Sequence, residues 1–129
     1  MRIISQGLDL VDCRRVEDLI IDHGESFLAR VFTPWEINYC RPRARRIEHF
    51  AGRFAAKEAV MKVLGTGWRG GVSFTDIEVR NSGTGEPEVI LSGMAAQAAR
   101  RRGITKVMLS ITHLRDLAAA SAIGVGEDQ

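Results

Sequence analysis

The sequence FAAKEAVMKVLGTG, residues 54–67, decides the fold because it forms the second half of the longest predicted helix. The helical pattern extends back to about Arg46, and the helix ends at the turn Gly65-Thr66-Gly67. At about 100° per residue, one predicted buried stripe of this helix carries Ile47, Ala51, Phe54, Glu58 and Met61. Since burying an ionised carboxylate is costly unless it is paired or binds a cation, Glu58 is the residue that requires an explanation.

Two explanations for Glu58 remain open on the helix alone. The structural one is an ion pair with Lys62, which follows one turn later and is the only basic residue on that side. Lys57 and Arg53 point in other directions around the helix and are not predicted partners. The functional explanation is a bound cation.

The composition is typical of a soluble globular protein. A chain of 129 residues predicts one domain covering residues 1–129. With 45% hydrophobic and 26% charged residues, no apolar run is long enough to cross a bilayer, and the N-terminus has no signal-peptide pattern. Cys13 and Cys40 are isolated, which favours a reducing compartment and argues against a zinc site. We therefore expect a cytoplasmic protein without a membrane partner.

Basic residues are clustered although the net charge is only +2. Arginines crowd residues 41–46 and 100–102, where they could contact an acidic protein, a nucleotide phosphate or nucleic acid, or simply face solvent. An RNA-binding module is one alternative for the whole chain. Aromatic residues make up only 6% and no RNP-like string occurs, so we expect no nucleic-acid partner.

The order of predicted elements indicates an α+β fold with an antiparallel sheet packed against a long central helix and shorter helices. Strands are predicted at residues 2–11, 72–80, 87–91, 106–113 and 117–125. Helices are predicted at residues 14–21, 25–31, 34–40, 46–64 and 93–102. Thr33 and Glu36 form a capping box at the third helix, and Asp12 is positioned to cap the first.

Acidic, basic and glycine residues then combine into one candidate site. Asp9 lies near a strand end, two residues after Gly7, where a glycine permits close approach of backbone or ligand. Carboxylates from two elements suit Mg²⁺, which takes one or two carboxylates and completes its shell with water and phosphate oxygens. Glycines in the 65–67 turn let backbone amides approach a phosphate, with Lys62 nearby. No P-loop or GxGxxG fingerprint accompanies them.

The same residues carry a resemblance that spans nearly the whole chain. The matching motifs are GLDLV at 7–11 with Arg15, FTPWE at 32–36, AGRFAAKEA at 51–59 with Lys62 and GTG at 65–67, DIEV at 76–79, GEP at 85–87 and SITH at 110–113. In these motifs the chain resembles the holo-[acyl-carrier-protein] synthases, the small bacterial branch of the 4'-phosphopantetheinyl transferases. Leu114 departs from the family pattern, in which a small hydroxyl or an acid is more usual after the histidine.

The resemblance implies a reaction and its partners. The 4'-phosphopantetheine group of coenzyme A would pass to a serine of apo acyl carrier protein, leaving adenosine 3',5'-bisphosphate, in fatty acid biosynthesis. The family is typically a homotrimer with active sites between subunits. Its acyl carrier proteins are acidic, and the arginines predicted to bind them are Arg14 and Arg15.

The resemblance also implies residue roles. Asp9 and Glu58 match the magnesium ligands, and Lys62 and His113 join them as predicted catalytic residues. The residues predicted to surround the coenzyme A phosphates are Arg53, Lys62, His113, Gly65, Thr66 and Gly67. The acceptor for the serine proton stays open among a metal-bound water, Glu58 and His113.

Alternatives to these roles also remain. His113 on a strand face could be a hydrogen-bonded core histidine, and His23 and His49 are assigned no functional role. The chain could also be a trimeric subunit that has kept the fold without catalysis, although the presence of Asp9, Glu58 and Lys62 argues against this.

Overall fold

The predicted α+β architecture is confirmed in the computed structural model, which describes residues 1–66 and 71–128. The helices are α1 (Cys13–His23), α2 (Glu25–Val31), α3 (Pro34–Cys40), α4 (Arg46–Leu64) and α5 (Gly93–Arg101). The strands are β1 (Arg2–Asp12), β2 (Ile77–Asn81), β3 (Pro87–Leu91), β4 (Lys106–His113) and β5 (Leu117–Gly126). No helix in these two described ranges is long and apolar enough to cross a membrane.

The strands form two antiparallel sheets. One sheet has the order β1-β5-β4 and the other pairs β2 with β3. Alternate residues of β5 are small and buried, and α4 packs on this face, as expected from the alanine-rich sequence. At Gly124, an added Cβ would lie 2.7 Å from Val63 Cγ1 of α4, so a larger side chain has no room there.

Gly7 lets β1 approach α4 closely. A Cβ built at Gly7 would lie 2.2 Å from the carbonyl oxygen of Ala59 and 2.9 Å from Lys62 Cβ. Cβ atoms do not come this close to backbone oxygens, so the crossing of β1 and α4 requires glycine. The crossing places Asp9, two residues later, beside the last turns of α4.

The local signals that delimit the helices are confirmed. Asp12 caps α1 by accepting from the amide of Arg14 at 2.9 Å. The capping box at α3 is complete: Thr33 Oγ1 accepts from the amide of Glu36 at 3.3 Å, and Glu36 Oε1 accepts from the amide of Thr33 at 2.8 Å. Gly65 ends α4 in the left-handed conformation, with φ of 72°.

The predicted strand at residues 72–80 begins too early. The structure has a 3₁₀ turn at Phe74–Asp76, and β2 starts at Ile77. Asp76 causes the difference because its carboxylate accepts from the amide of Ser73 at 3.2 Å and its own amide donates to the Ser73 carbonyl at 3.0 Å. These local bonds close a turn in place of strand pairing.

The single buried stripe predicted for α4 is also wrong. The helix is covered on most sides, by the three-stranded sheet and by α1, α3 and β2, so most of its residues are buried. Glu58 is only half-buried, whereas Lys57 is 0% and Arg53 is 4% exposed. Lys57 and Arg53, which the stripe excluded, are therefore among the buried charged residues of α4.

A fully buried ion pair joins α3, α4 and β2. Lys57 Nζ lies 2.7 Å from Glu36 Oε1, with both side chains 0% exposed, and it donates to the carbonyl of Phe74 at 3.0 Å. Glu36 Oε2 accepts from the amide of Val79 at 2.7 Å. Burial lowers the pKa of Lys57, and the Glu36 carboxylate opposes that shift. Glu36 therefore both caps α3 and supplies an acceptor to the edge of β2.

Candidate active site

Asp9 and Lys62 meet where β1 crosses α4. Lys62 Nζ donates to the carbonyl of Leu8 at 2.6 Å and to Asp9 Oδ1 at 3.3 Å. Asp9 is partly buried on the inner face of β1, and Lys62 is exposed in the last turn of α4. The structure thus gives Lys62 a different partner from the Glu58 pairing considered on the sequence.

Glu58 lies close enough to Asp9 for the two carboxylates to repel each other. Burial raises the pKa of Glu58, the charge of Asp9 raises it further, and Lys62 and Arg15 oppose the shift. Within residues 1–66 and 71–128, no hydrogen bond or ion pair engages the Glu58 side chain. A half-buried carboxylate beside a like charge is unfavourable without a cation, and this arrangement fits cation binding.

The donor set of this site suits a hard divalent cation. Asp9 and Glu58 are oxygen ligands from two different elements, the kind of set that Mg²⁺ uses together with waters and phosphate oxygens. In the described part of the chain, no group of three or more His, Cys, Asp or Glu side chains could hold a metal ion. A cation held here would therefore need ligands from water or substrate, and the residues present fit that requirement.

The turn after α4 adjoins this cluster. The amide of Gly65 donates to the carbonyls of Met61 at 3.0 Å and Lys62 at 3.1 Å. Thr66 Oγ1 is buried and has no hydrogen-bond partner among the residues that the structure describes. Gly67, the third residue predicted to contact coenzyme A phosphates, lies outside the described residues.

Arg53 and His113 line a separate cavity of about 170 Å³. His113 Nδ1 lies 2.7 Å from Glu48 Oε1, while Arg53 donates to the carbonyl of Val79 at 3.3 Å and stacks on Tyr39, 4.4 Å from its ring centroid. The remaining lining residues are His49, Gly52, Asn81, Gly85, Pro87 and Ile111. Two predicted coenzyme-binding residues thus share one pocket.

The His113 end of this cavity is not adjacent to the carboxylates within one chain. Glu48, the partner of His113, precedes Glu58 by ten residues on α4. At about 1.5 Å per residue, the separation along the helix is about 15 Å. The structure therefore brings together Asp9, Glu58 and Lys62 but leaves His113 apart from them in the same protomer.

The two arginines predicted to bind the carrier protein face different parts of this region. The charge of Arg15 acts on Glu58, so this residue lies near the carboxylate cluster. Arg14 lines a cavity of about 370 Å³ together with Arg45, Arg46 and Arg115. Glu17, Glu48 and Asp116 also line this cavity, so the start of α1 and the segment before α4 form an arginine-rich surface of mixed charge.

Comparison with known families identifies the group of proteins that share these features. A model of the 4'-phosphopantetheinyl transferase superfamily matches residues 5–121, which include both carboxylates and His113. The chain belongs to this superfamily. A holo-[acyl-carrier-protein] synthase of Solibacter usitatus is 45% identical over 121 residues, which cover 94% of this chain and 97% of that relative.

Solved structures agree with this membership. The crystal structure of holo-[acyl-carrier-protein] synthase from Neisseria meningitidis superposes with a TM-score of 0.87 at 32% identity, covering 95% of this chain and 98% of that one. The Helicobacter pylori holo-[acyl-carrier-protein] synthase, solved in complex with coenzyme A, gives a TM-score of 0.82 at 30% identity, covering 94% and 100%.

His49, which was assigned no role from the sequence, also lines the cavity of Arg53 and His113. Its ring centroid lies 5.7 Å from that of His113, and burial lowers its pKa, with further lowering by Arg53, His113 and Arg43. Its position one helical turn before Arg53 on α4 was a signal available in the sequence. The guanidinium groups of Arg53 and Arg43 lie near His49, and their positive charge makes this side of the cavity suited to contact an anion.

Proposed function

We propose that this chain transfers the 4'-phosphopantetheine group from coenzyme A to a serine of apo acyl carrier protein. The products are holo acyl carrier protein and adenosine 3',5'-bisphosphate, and the pathway served is fatty acid biosynthesis. Residues 1–129 act as one phosphopantetheinyl transferase domain in this proposal. The relative of Solibacter usitatus, matched over 94% of this chain, is a holo-[acyl-carrier-protein] synthase, which supports the substrate assignment.

The observation that carries the proposal is the cluster of Asp9, Lys62 and Glu58 where β1 crosses α4. Its members come from sequence positions about fifty residues apart and meet because Gly7 lets the backbones touch. Two carboxylates and a lysine are what a reaction at a pyrophosphate needs, since such catalysis depends on positioning and on stabilising charge.

Magnesium is the proposed cofactor, with Asp9 and Glu58 as its protein ligands. Their mutual repulsion and the half-burial of Glu58 support this role. The bound ion would act as a Lewis acid on the pyrophosphate and orient it. Lys62 adds a cation on the same side, and at 4 Å with an effective dielectric constant of 20 one unit charge contributes about 4 kcal/mol.

Coenzyme A phosphates are proposed to contact two surfaces of the protein. Lys62, Gly65 and Thr66 lie at the end of α4, and the buried Thr66 hydroxyl without a partner among the described residues supports a ligand there. Arg53 and His113 line the 170 Å³ cavity with His49, which supports an anion site. Gly67 is also proposed to contact these phosphates.

We propose a homotrimer with active sites between subunits. The outer face of the three-stranded sheet supports an assembly because it exposes large apolar residues, including Leu8 at 67% and Leu10 at 64%. The separation of about 15 Å between the His113 region and Glu58 supports shared sites, since a neighbouring subunit can supply the second half.

The carrier protein is proposed to dock at the start of α1, between Arg15 and the arginine-rich surface formed by Arg14 and the arginines before α4. Arg15 lies near Glu58, which supports this position because the acceptor serine must reach the same cluster. A cytoplasmic location is proposed from the two buried free cysteines, which suit a reducing compartment.

The reaction is tested by the release of adenosine 3',5'-bisphosphate, measured by chromatography. The wild-type chain, coenzyme A, apo acyl carrier protein and Mg²⁺ should give one nucleotide per carrier modified. Excess chelator, Asp9→Asn or Glu58→Gln should abolish release, whereas Glu127→Gln, at an exposed position after β5, should not. Full release in chelator would remove the metal role, and no release by the wild type would remove the proposed function.

A further inference from the structure

Arg102 contacts the end of α4 from a different helix. It is the C-cap residue of α5, and its Nη1 donates to the carbonyl of Val63 at 2.6 Å. The same carbonyl accepts from Ser5 Oγ of β1 at 2.7 Å. A Cβ at Gly65 would lie 2.7 Å from Arg102 Nη1, so the guanidinium rests directly on the backbone of the turn.

The polarity of α4 makes this contact significant. The last carbonyls of a helix lack intrahelical donors and carry the negative end of the helix dipole. Gly65 and Thr66 follow that end, and they are the residues proposed to lie beside coenzyme A phosphates. A helix C-terminus by itself repels an anion, which is the reverse of the favourable phosphate site at a helix N-terminus.

We propose that Arg102 is a positioning residue for the pyrophosphate of coenzyme A, an inference that rests on the proposed function. Its guanidinium donates to the Val63 carbonyl, offsets the negative end of the α4 dipole and packs against Gly65 of the turn. Arg102 thereby changes the local charge that an approaching phosphate meets, without itself being a catalytic group.

The test compares Arg102→Met with Arg101→Met, since Arg101 is the exposed neighbour with the same charge. Titration calorimetry in Mg²⁺ measures the Kd of coenzyme A and of 3'-dephospho-coenzyme A. We expect R102M to raise both Kd values by the same factor, about three- to tenfold from the range of helix-end charge effects, and R101M to leave them within about twofold. R102K keeps the charge but lacks the planar guanidinium, so its Kd should lie between those of the wild type and R102M.

Each outcome decides the inference. If the wild type transfers normally and R102M binds coenzyme A with an unchanged Kd, the role of Arg102 alone is overturned. A loss that appears only for coenzyme A, which carries the 3'-phosphate, would mean that Arg102 acts on that phosphate and not on the pyrophosphate, and this also overturns the inference. A wild type that neither binds coenzyme A nor transfers removes this inference together with the proposed function. If R102M does not fold, R102K must weaken binding more than R101K, or the inference fails.

Discussion

Replacing Lys57 by Met should destabilise the protein strongly because it leaves the Glu36 carboxylate buried without its cation. Both side chains are 0% exposed, and the Nζ atom loses contacts at 2.7 Å and 3.0 Å. Breaking a buried ion pair by removing one partner costs about 3–5 kcal/mol. Glu36 retains the amides of Thr33 and Val79, so we expect about 3 kcal/mol. That is a large share of the about 5–15 kcal/mol typical of a folded domain.

Urea unfolding followed by circular dichroism measures this cost. With an m-value of about 2 kcal/mol/M, K57M should lower the midpoint by about 1.5 M. The control is Lys106→Met, which removes an exposed lysine and should change the midpoint little. Glu36→Gln combined with K57M should recover part of the loss because the buried charge is removed, so the two changes are not additive.

Two results would refute the reasoning about Lys57. A midpoint shift no larger than that of K106M would mean that the pair contributes no net stability. A double variant as unstable as the sum of the two single variants would mean that the cost comes from lost packing, because the removal of a buried charge would then have had no effect.

Three further predictions concern the site and the assembly. Gly7→Ala should lower the free energy of unfolding in urea by about 3 kcal/mol, because the added Cβ clashes with the Ala59 carbonyl, and it should lower kcat/KM for phosphopantetheine transfer. Gly83→Ala, whose added Cβ meets nothing within 4 Å, should change neither quantity. Glu58→Gln should stabilise the metal-free protein at pH 7: the raised pKa of Glu58 makes wild-type stability fall as pH rises above 4.5, so the gain measured by urea unfolding should disappear below that pH. Mixed Asp9→Asn and His113→Ala protomers should recover part of the transfer activity that each lacks alone if sites lie between subunits; activity no higher than the sum of the separate variants would contradict shared sites.

Much of the fold follows from local sequence signals. The bounds of α3 and α4 were predicted because the capping box at Thr33 and the glycine at Gly65 act on adjacent backbone. The family motif named Asp9, Glu58 and Lys62 together, and the Gly7 crossing confirms that the strand and the helix touch there.

Contacts between distant segments could not be predicted in the same way. The pairing of Lys57 with Glu36 depends on how α3 lies against α4, and helical periodicity treats each helix alone. The same limit explains why Glu58 was placed in a buried stripe, since a helix covered on most sides has no single apolar face. The contact of His49 with His113 likewise depends on how β4 packs against α4, because the two residues are far apart in sequence.

Intact-mass spectrometry of apo acyl carrier protein tests the central claim most directly. The carrier is incubated with this chain, coenzyme A and Mg²⁺, beside a matched carrier whose acceptor serine is replaced by alanine. We predict that the carrier gains the mass of one phosphopantetheine group, that the alanine carrier gains none, and that Asp9→Asn and Glu58→Gln chains add none. A carrier whose mass is unchanged by the folded wild-type chain, while a known synthase modifies the same sample, would contradict the account.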